Sequence, residues 1–398
     1  MLNIIEHIKS INKISLIFSI LMMTRAIGFL PFNIPSVLEH GGVICMALFC
    51  FHKHTHIEKI WLLLIVYLII NIVFSDINPI FNPWGRFVYF VTILLCVSPM
   101  LQSEYLRKIR QYIFIITIKM GIILSVITFF CWFLGINFMK YENLDITKAG
   151  LFSGLFNHSM VMGPIAGLSA IYLVHMFIKK NNWLYMLLAL TCIGALLLSA
   201  SRTAFICVAV SLIFLILKNQ SNNIKTIKNI SIIILGLTIS FPLWRNVTDL
   251  LVEKQNNNLA TGSTFSSRES VWNTRIDEFK SCPSFGIGFC SIDTSKNIIS
   301  ESGTIEPGSS WLAVLSMTGI IGFIIVFTII IRSFICCAKT NEDNSLLLSL
   351  LIFFLIHMIT EGYIFSGGSF LCFLVWLIIG CCYDKKYEAE ETIDITME

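Results

Sequence analysis

Five arginines and one carboxylate stand out by type and by position. Glu306 opens the stretch "TIEPGSSWLAVLSMTGIIGF" (Thr304–Phe323), where an acid, a proline, a glycine and two serines precede an apolar helix pattern. A carboxylate there is suited to accept a proton as a general base. The helix N-terminus beside it would lower its pKa and weaken it in that role, so a plain cap or an arginine salt bridge is the competing reading. Arg268 and Arg275 are seven residues apart, nearly on one face of a helical segment, with Trp272 between them. Guanidinium groups grip phosphate oxygens in bidentate fashion, so this pair suits a phosphate clamp. The alternative is a solvated helix whose arginines pair with Glu269, Asp277 and Glu278. Arg86 follows "NPWG" and Arg202 lies in "LSASRTAF", each at the start of an apolar run. Helix N-termini expose free N–H groups and a positive dipole end, and an adjacent arginine strengthens such an anion site. Arg25 sits within the first apolar run, where an ionisable side chain is a functional candidate or snorkels to headgroups.

The elements that must position these groups follow from composition. Of 398 residues, 56% are hydrophobic and only 13% charged, against about a quarter in soluble chains, and the mean hydropathy is +0.80. Apolar runs long enough to cross a core of about 30 Å recur throughout. The fold class expected is an all-α polytopic membrane protein with about twelve transmembrane helices. The spans are 14–30, 37–51, 60–75, 87–101, 112–136, 151–178, 183–198, 203–217, 230–244, 309–331, 345–360 and 369–383. No cleavable signal peptide is expected, because the first apolar run lacks a small-residue cleavage site and others follow it. The positive-inside rule orients the chain with both termini cytoplasmic. Inner segments then hold Lys53, Lys59, Arg107, Lys108, Arg110, Lys179, Lys180 and Arg332, whereas the short outer loops hold only Arg86, Lys140, Lys148 and Arg202.

One loop breaks the rhythm. The expected division is a bundle of nine spans (1–244), an extracytoplasmic cap loop (245–308), spans ten to twelve (309–383) and a cytoplasmic tail (384–398). Loops of this length inside compact proteins are uncommon and often functional. "FSSRESVWNTRIDEFKS" (Phe265–Ser281) predicts a helix in the cap, with Ser266 and Glu269 as a capping box and Trp272, Ile276 and Phe279 as its apolar stripe. "CPSFGIGF" then forces a turn. Ser309 or Ser310 is the expected N-cap of span ten. Positive groups thus gather at one surface facing the cap, and an anion carried in the outer leaflet, a lipid-linked phosphate or pyrophosphate, is the ligand they suit.

Four blocks in order, "KAGLFSGLFNHSMVMGPIAG", "LLLSASRTAF", "SSRESVWNTRIDEFKSCPSFGIGF" and "GSSWLAVLSMTGIIGF", resemble the O-antigen polymerase and O-antigen ligase superfamily. Arg275 and Gly286 also fit an Arg-x10-Gly spacing familiar from polymerase periplasmic loops. The resemblance implies a bacterial inner-membrane glycosyltransferase with its active face periplasmic and no metal or other cofactor. The donor would be an undecaprenyl-pyrophosphate-linked oligosaccharide within the membrane lipids. The acceptor would be another lipid-linked repeat unit in a polymerase, or lipid A core in a ligase. Arginines would then stabilise the leaving pyrophosphate. Arg202 and Arg275 lead for that role, Glu306 for the base, and Arg268, Arg86, Arg25, Trp272 and His158 for substrate binding. Ligases usually carry a His-Asn pair just before the helix matching span ten. This chain has Glu306-Pro-Gly-Ser-Ser instead, which favours the polymerase branch. A chain-length regulator protein is the partner the family leads one to expect, and nucleic acid is not.

Other features read more plainly. "HKHTH" (His52, His54, His56) alternates like a metal tract but falls in a basic inner loop, where a solvated role is expected. His158 touches substrate or hydrogen-bonds within the bundle. Cys282 and Cys290 bracket the glycine turn and would form a disulfide in an oxidising compartment, or stay free. A lipid-linked-oligosaccharide flippase or secondary transporter is the competing class. Transporters tend to carry paired repeats and midplane charges, whereas charge here concentrates at one surface.

Overall fold

The computed structural model describes residues 2–30, 36–75, 82–139, 152–219, 268–293, 308–340 and 343–397. Within them the chain forms twelve helices and one antiparallel ladder of two two-residue strands. In order these are α1 (Leu2–Met23), α2 (Ser36–Lys53), β1 (His56–Ile57), α3 (Lys59–Val73), α4 (Pro83–Val97), β2 (Leu101–Gln102) and α5 (Glu104–Phe133). Then come α6 (Ser159–Lys180), α7 (Trp183–Leu198), α8 (Arg202–Asn219), α9 (Arg268–Ser281), α10 (Ser310–Lys339), α11 (Ser345–Thr360) and α12 (Phe370–Met397). β1 and β2 pair antiparallel, His56 opposite Gln102.

The helices are apolar on both faces, which identifies their solvent. Along α3, Trp61, Leu64, Leu68 and Ile72 pack inward, while Leu62, Leu63, Val66 and Val73 point out and are exposed. A water-facing helix would carry polar residues on that outer side. α5, α6, α8 and α10 are each long and apolar enough to cross a membrane. α5 and α10, at 30 residues each, extend about 45 Å. The chain is a multi-pass membrane protein. The span expected at 230–244 and most of the cap loop lie outside the described residues.

α12 is the central post. Every residue from Phe370 to Asp384 is buried, so other elements surround it on all sides. Trp376 packs on Trp61 (ring centroids 5.5 Å) and on Phe90 (5.7 Å), and its Nε1–H donates to the Ile364 carbonyl at 2.9 Å. The expected tail from 384 is instead helical to Met397, continuous with the post. Its start is locked by a buried pair: Arg110 donates from Nε and Nη2 to the two carboxylate oxygens of Asp384, at 2.7 and 2.8 Å. Gln102 Nε2 also donates to Asp384, at 2.9 Å, while Arg110 Nη1 donates to the Ser98 and Leu101 carbonyls, so the desolvated charges are fully partnered.

At the opposite end, here the cap end, the starts of α4, α8 and α10 gather with the end of α1. Thr360 at the close of α11 hydrogen-bonds Thr203 of α8 at 3.1 Å, and the Glu361 carbonyl accepts from Ser310 N (3.0 Å) and Ser310 Oγ (2.6 Å). α1 stops at Met23, short of the expected 30. The chain then turns, and Gly28 N donates to the Leu155 carbonyl while Ile27 bridges Phe156. That pairing occupies residues expected at the start of span six, and α6 accordingly begins at Ser159.

Candidate active site

α10 is broken. Gly319 has φ 61° and ψ −170°, outside the helical region, roughly 14 Å along the helix from Ser310. A break inside an apolar environment frees backbone groups that hydrocarbon cannot satisfy. The turn after α9 supplies the partners. Ile287 N donates to the Ser316 carbonyl (2.8 Å) and Gly288 N to the Met317 carbonyl (3.0 Å). In return Ile320 N donates to Pro283 O (2.8 Å), and Tyr67 Oη donates to the Thr318 carbonyl (2.5 Å). α3 holds the turn from its other side: Asn71 Nδ2 donates to Phe285 O (2.6 Å) and Ser75 Oγ to Ile287 O (2.7 Å). Residues 282–293 are thus wedged between α3 and α10, and Phe289 is sunk among Phe87, Phe90 and Phe365.

Two glycines make this wedge sterically feasible. A Cβ on Gly286 (φ +74°) would lie 2.5 Å from backbone atoms of Met317, Thr318 and Gly319. One on Gly319 would lie 2.3 Å from the Ser284 carbonyl oxygen. The Arg-x10-Gly spacing therefore has a physical content: the glycine seats the turn in the break, and the arginine seals against the same stretch of α10.

Arg275 is completely buried, as is Glu278. Its Nη1 donates to Glu278 Oε2 at 2.7 Å and reaches Ser316 Oγ at 3.5 Å, while Nε and Nη2 are buried without a hydrogen-bond partner. Glu278 Oε1 in turn accepts from Asp293 N at 3.0 Å, tying the end of the wedge to α9. Burial pulls the Arg275 pKa down, and the Glu278 carboxylate opposes that fall. The expected pairing of Arg275 with Glu278 forms, but the expected faces of α9 are corrected. The inward face carries this ion pair, with Ile276 exposed, so the stripe of Trp272, Ile276 and Phe279 is not the buried face. Nor is Arg275 a solvated surface charge. Trp272 is half-buried and donates from Nε1 to the Gly308 carbonyl at 3.1 Å, fastening α9 to the start of α10.

The remaining candidates sort by position. Ser309 is the N-cap of α10, its Oγ accepting from Leu312 N. Glu306, the expected base, lies outside the described residues, as does Ser266 of the capping box; Arg268 is the first residue of α9. Arg202 begins α8, beside the Thr203–Thr360 contact. His158 serves as the N-cap of α6, its Nδ1 accepting from Met160 N at 2.9 Å. Arg25 is in the turn after α1 rather than within a span, and it does not snorkel. It ion-pairs with Glu39, lies over the Tyr89 ring at 4.6 Å and donates from Nη1 to the Gly367 carbonyl at 3.3 Å. Arg86 lies in the first turn of α4, behind the N-cap Asn82 and Pro83. It hydrogen-bonds the Cys290 thiol and so touches the wedge. Cys282 and Cys290 are both free thiols, Cys290 being turned inward toward Arg86. Among the described residues no group of His, Cys, Asp and Glu is placed to hold a metal, the three histidines of 52–56 included.

Sequence reasoning named Glu278 as a partner for the arginines but missed its burial, and it missed Ser316, Gly319 and the α3 side chains Tyr67, Asn71 and Ser75. Two signals were present: an Arg and a Glu three apart on one helix, and glycines at 319 and 322 inside an apolar run.

No curated protein matches the chain in sequence comparison. Residues 187–327 match the family model described as O-antigen ligase. The matched span starts within α7, covers the Arg202 start of α8, the cap helix and its wedge, and extends beyond the break in α10. With the four sequence blocks it supports placing this chain in the O-antigen polymerase and ligase superfamily.

Proposed function

We propose that the protein is a surface-polysaccharide polymerase, joining undecaprenyl-pyrophosphate-linked repeat units by glycosyl transfer at the periplasmic end of the bundle. The observation that carries this reading is Arg275: a buried guanidinium with two unpartnered nitrogens, held against the break in α10 at the cap end. Unpaired buried donors are costly, and an oxyanion is the partner their geometry suits. In the reaction, an acceptor hydroxyl oxygen bonds to the anomeric carbon of the donor sugar. The bond from that carbon to the pyrophosphate oxygen breaks, and its electron pair leaves with the phosphate. Arg275 and Arg202 stabilise the developing charge, with Arg268 next in that role, so no divalent cation is required. Glu306 takes the acceptor's proton, and Arg86, Arg25 and Trp272 shape the surface that receives the glycan. Twelve spans, cytoplasmic termini and a partner that sets chain length belong to the same reading.

Ligase activity is the second reading, favoured by the description of the matched family model. Against it stands the absence of histidine between Glu301 and Ser309, just before α10. A flippase would need α10 to hinge at its break, whereas the wedge pins that break from α3 and α9 together.

Deletion in a strain that makes a long surface polysaccharide, with glycan analysis on a gel, tests this. Polymerase loss leaves core capped with one repeat unit. Bare core with polymer still on the lipid carrier would establish the ligase, and loss of all repeat units at the outer face a flippase. Arg202→Ala and Arg275→Ala should each abolish chain extension; wild-type ladders from both would overturn the arginine assignment.

A further inference from the structure

A second site adjoins the wedge where Arg86 meets Cys290. A cavity of about 790 Å³ opens between the start of α2 (His40), the first turns of α4 (Asn82, Arg86, Tyr89) and the segment Ser366–Ser369 that precedes α12. Its size falls in the range of small-molecule sites, about 300–1,000 Å³. The walls are distinctive in an otherwise apolar molecule: among the described residues, no aliphatic side chain and no carboxylate lines them. The rings of His40 and Tyr89 stand 4.6 Å apart, tilted at 60°. Around them are two serine hydroxyls, an amide and the bare backbone of Gly367 and Gly368, and a Cβ on Gly368 would meet nothing within 4 Å. The floor is rigid, because Arg25 lies over the Tyr89 ring and holds the Gly367 carbonyl. Tyr89 is itself more than nine-tenths buried.

Such walls do not suit a polyprenyl chain, which needs aliphatic contact. They suit a sugar, whose C–H face stacks on aromatic rings while its hydroxyls meet serines, amide and peptide groups. We propose that this cavity is a glycan-binding subsite, distinct from the Arg275 wall, that receives sugar residues of the lipid-linked substrate. The wedge connects the two: Arg86 at the cavity contacts Cys290, and Glu278 beside Arg275 accepts from Asp293. A substrate seated at both places would present its sugars to the cavity and its pyrophosphate to the arginine. This inference rests on the lipid-linked glycan reading of the preceding section.

The test uses the purified full chain in detergent and three probes: the repeat-unit oligosaccharide released from its carrier by mild acid, undecaprenyl phosphate, and inorganic pyrophosphate. Saturation-transfer NMR should show oligosaccharide binding to wild type and to Gly368→Ala. Gly368→Trp, which fills the cavity, should weaken it at least ten-fold while undecaprenyl phosphate still binds. As a check that does not need the bulky variant, Gly368→Cys should be alkylated several-fold more slowly when the oligosaccharide is present, read by mass spectrometry. Equal oligosaccharide binding by wild type and Gly368→Trp, or no protection of Gly368→Cys, would overturn the subsite. If Gly368→Trp instead displaces pyrophosphate or undecaprenyl phosphate, the cavity is a phosphate site; that outcome sinks the glycan subsite and leaves the glycosyl-transfer reading standing. A deletion strain with unchanged surface glycan would sink the latter alone.

Discussion

Removing Arg275 should damage the protein in two separable ways. Arg275 and Glu278 are both closed to solvent, and Nη1 meets the carboxylate at 2.7 Å. Deleting one member of such a pair strands the other charge in a low-dielectric wall, at a cost of about 3–5 kcal/mol. Arg275→Met and Glu278→Leu alone should therefore each lower the melting temperature of the detergent-solubilised protein markedly. The double variant replaces both charges by apolar side chains of similar volume, an exchange that is often neutral or stabilising. Its melting temperature should return to within a few degrees of wild type. Chain extension should not return, because the unpartnered Nε and Nη2 are gone with the guanidinium. Glycan gels of cells carrying each variant, with membrane levels measured alongside, give the activity arm. A double variant that regains both stability and a long ladder would refute the reasoning, since Arg275 would then be only a structural tie. Single variants that melt like wild type would refute the burial of the pair.

Three further outcomes follow from particular contacts. Gly319→Ala puts a Cβ 2.3 Å from the Ser284 oxygen at φ 61° and ψ −170°, a backbone region that costs a non-glycine residue about 1–3 kcal/mol, so the wedge should be expelled and chymotrypsin should cut after Phe285 or Phe289 in membranes that resist it in wild type. Glu306→Gln should slow polymerisation by about 10²–10⁴-fold in a timed assay if that carboxylate is the base, and an unchanged ladder rules the role out. Glu58 precedes α3 at the end opposite the cap; burial alone would raise its pKa, but hydrogen bonds from Tyr387 and Lys386 outweigh that and hold it below its ordinary 4.5. A depressed carboxylate stabilises the fold above the unfolded value and loses that contribution as pH falls through the folded one. The melting difference between wild type and Glu58→Gln should accordingly be full at pH 6 and shrink below pH 4.5; a difference that grows with acid contradicts the sign.

The spans were legible because hydrocarbon leaves a plain signal. α2, α3, α7 and α11 fall within two or three residues of the apolar runs that predict them. The break at Gly319 was not legible, because a long apolar run looks the same whether its hydrogen bonds are internal or supplied by residues 283–288. Arg25 and Arg86 were singled out by charge and position, but Arg25 over Tyr89 and Arg86 beside the same ring depend on where Ser366–Ser369 returns in space. Arg275 was singled out for its charge and misjudged in exposure: its apolar neighbours at helical spacing pointed inward on paper, while the i, i+3 ion pair takes that face in the fold. A buried ion pair is invisible to any hydrophobic pattern.

Reconstitution with a single substrate tests the central claim most directly. The purified chain in lipid nanodiscs would be given undecaprenyl-pyrophosphate-linked repeat unit alone, and the products resolved by mass spectrometry. The account predicts oligomers of two or more repeat units still on the carrier, with one undecaprenyl pyrophosphate released per linkage formed, and neither product from Arg275→Met/Glu278→Leu. Transfer only when lipid A core is added, or no release of undecaprenyl pyrophosphate under either condition, would contradict it.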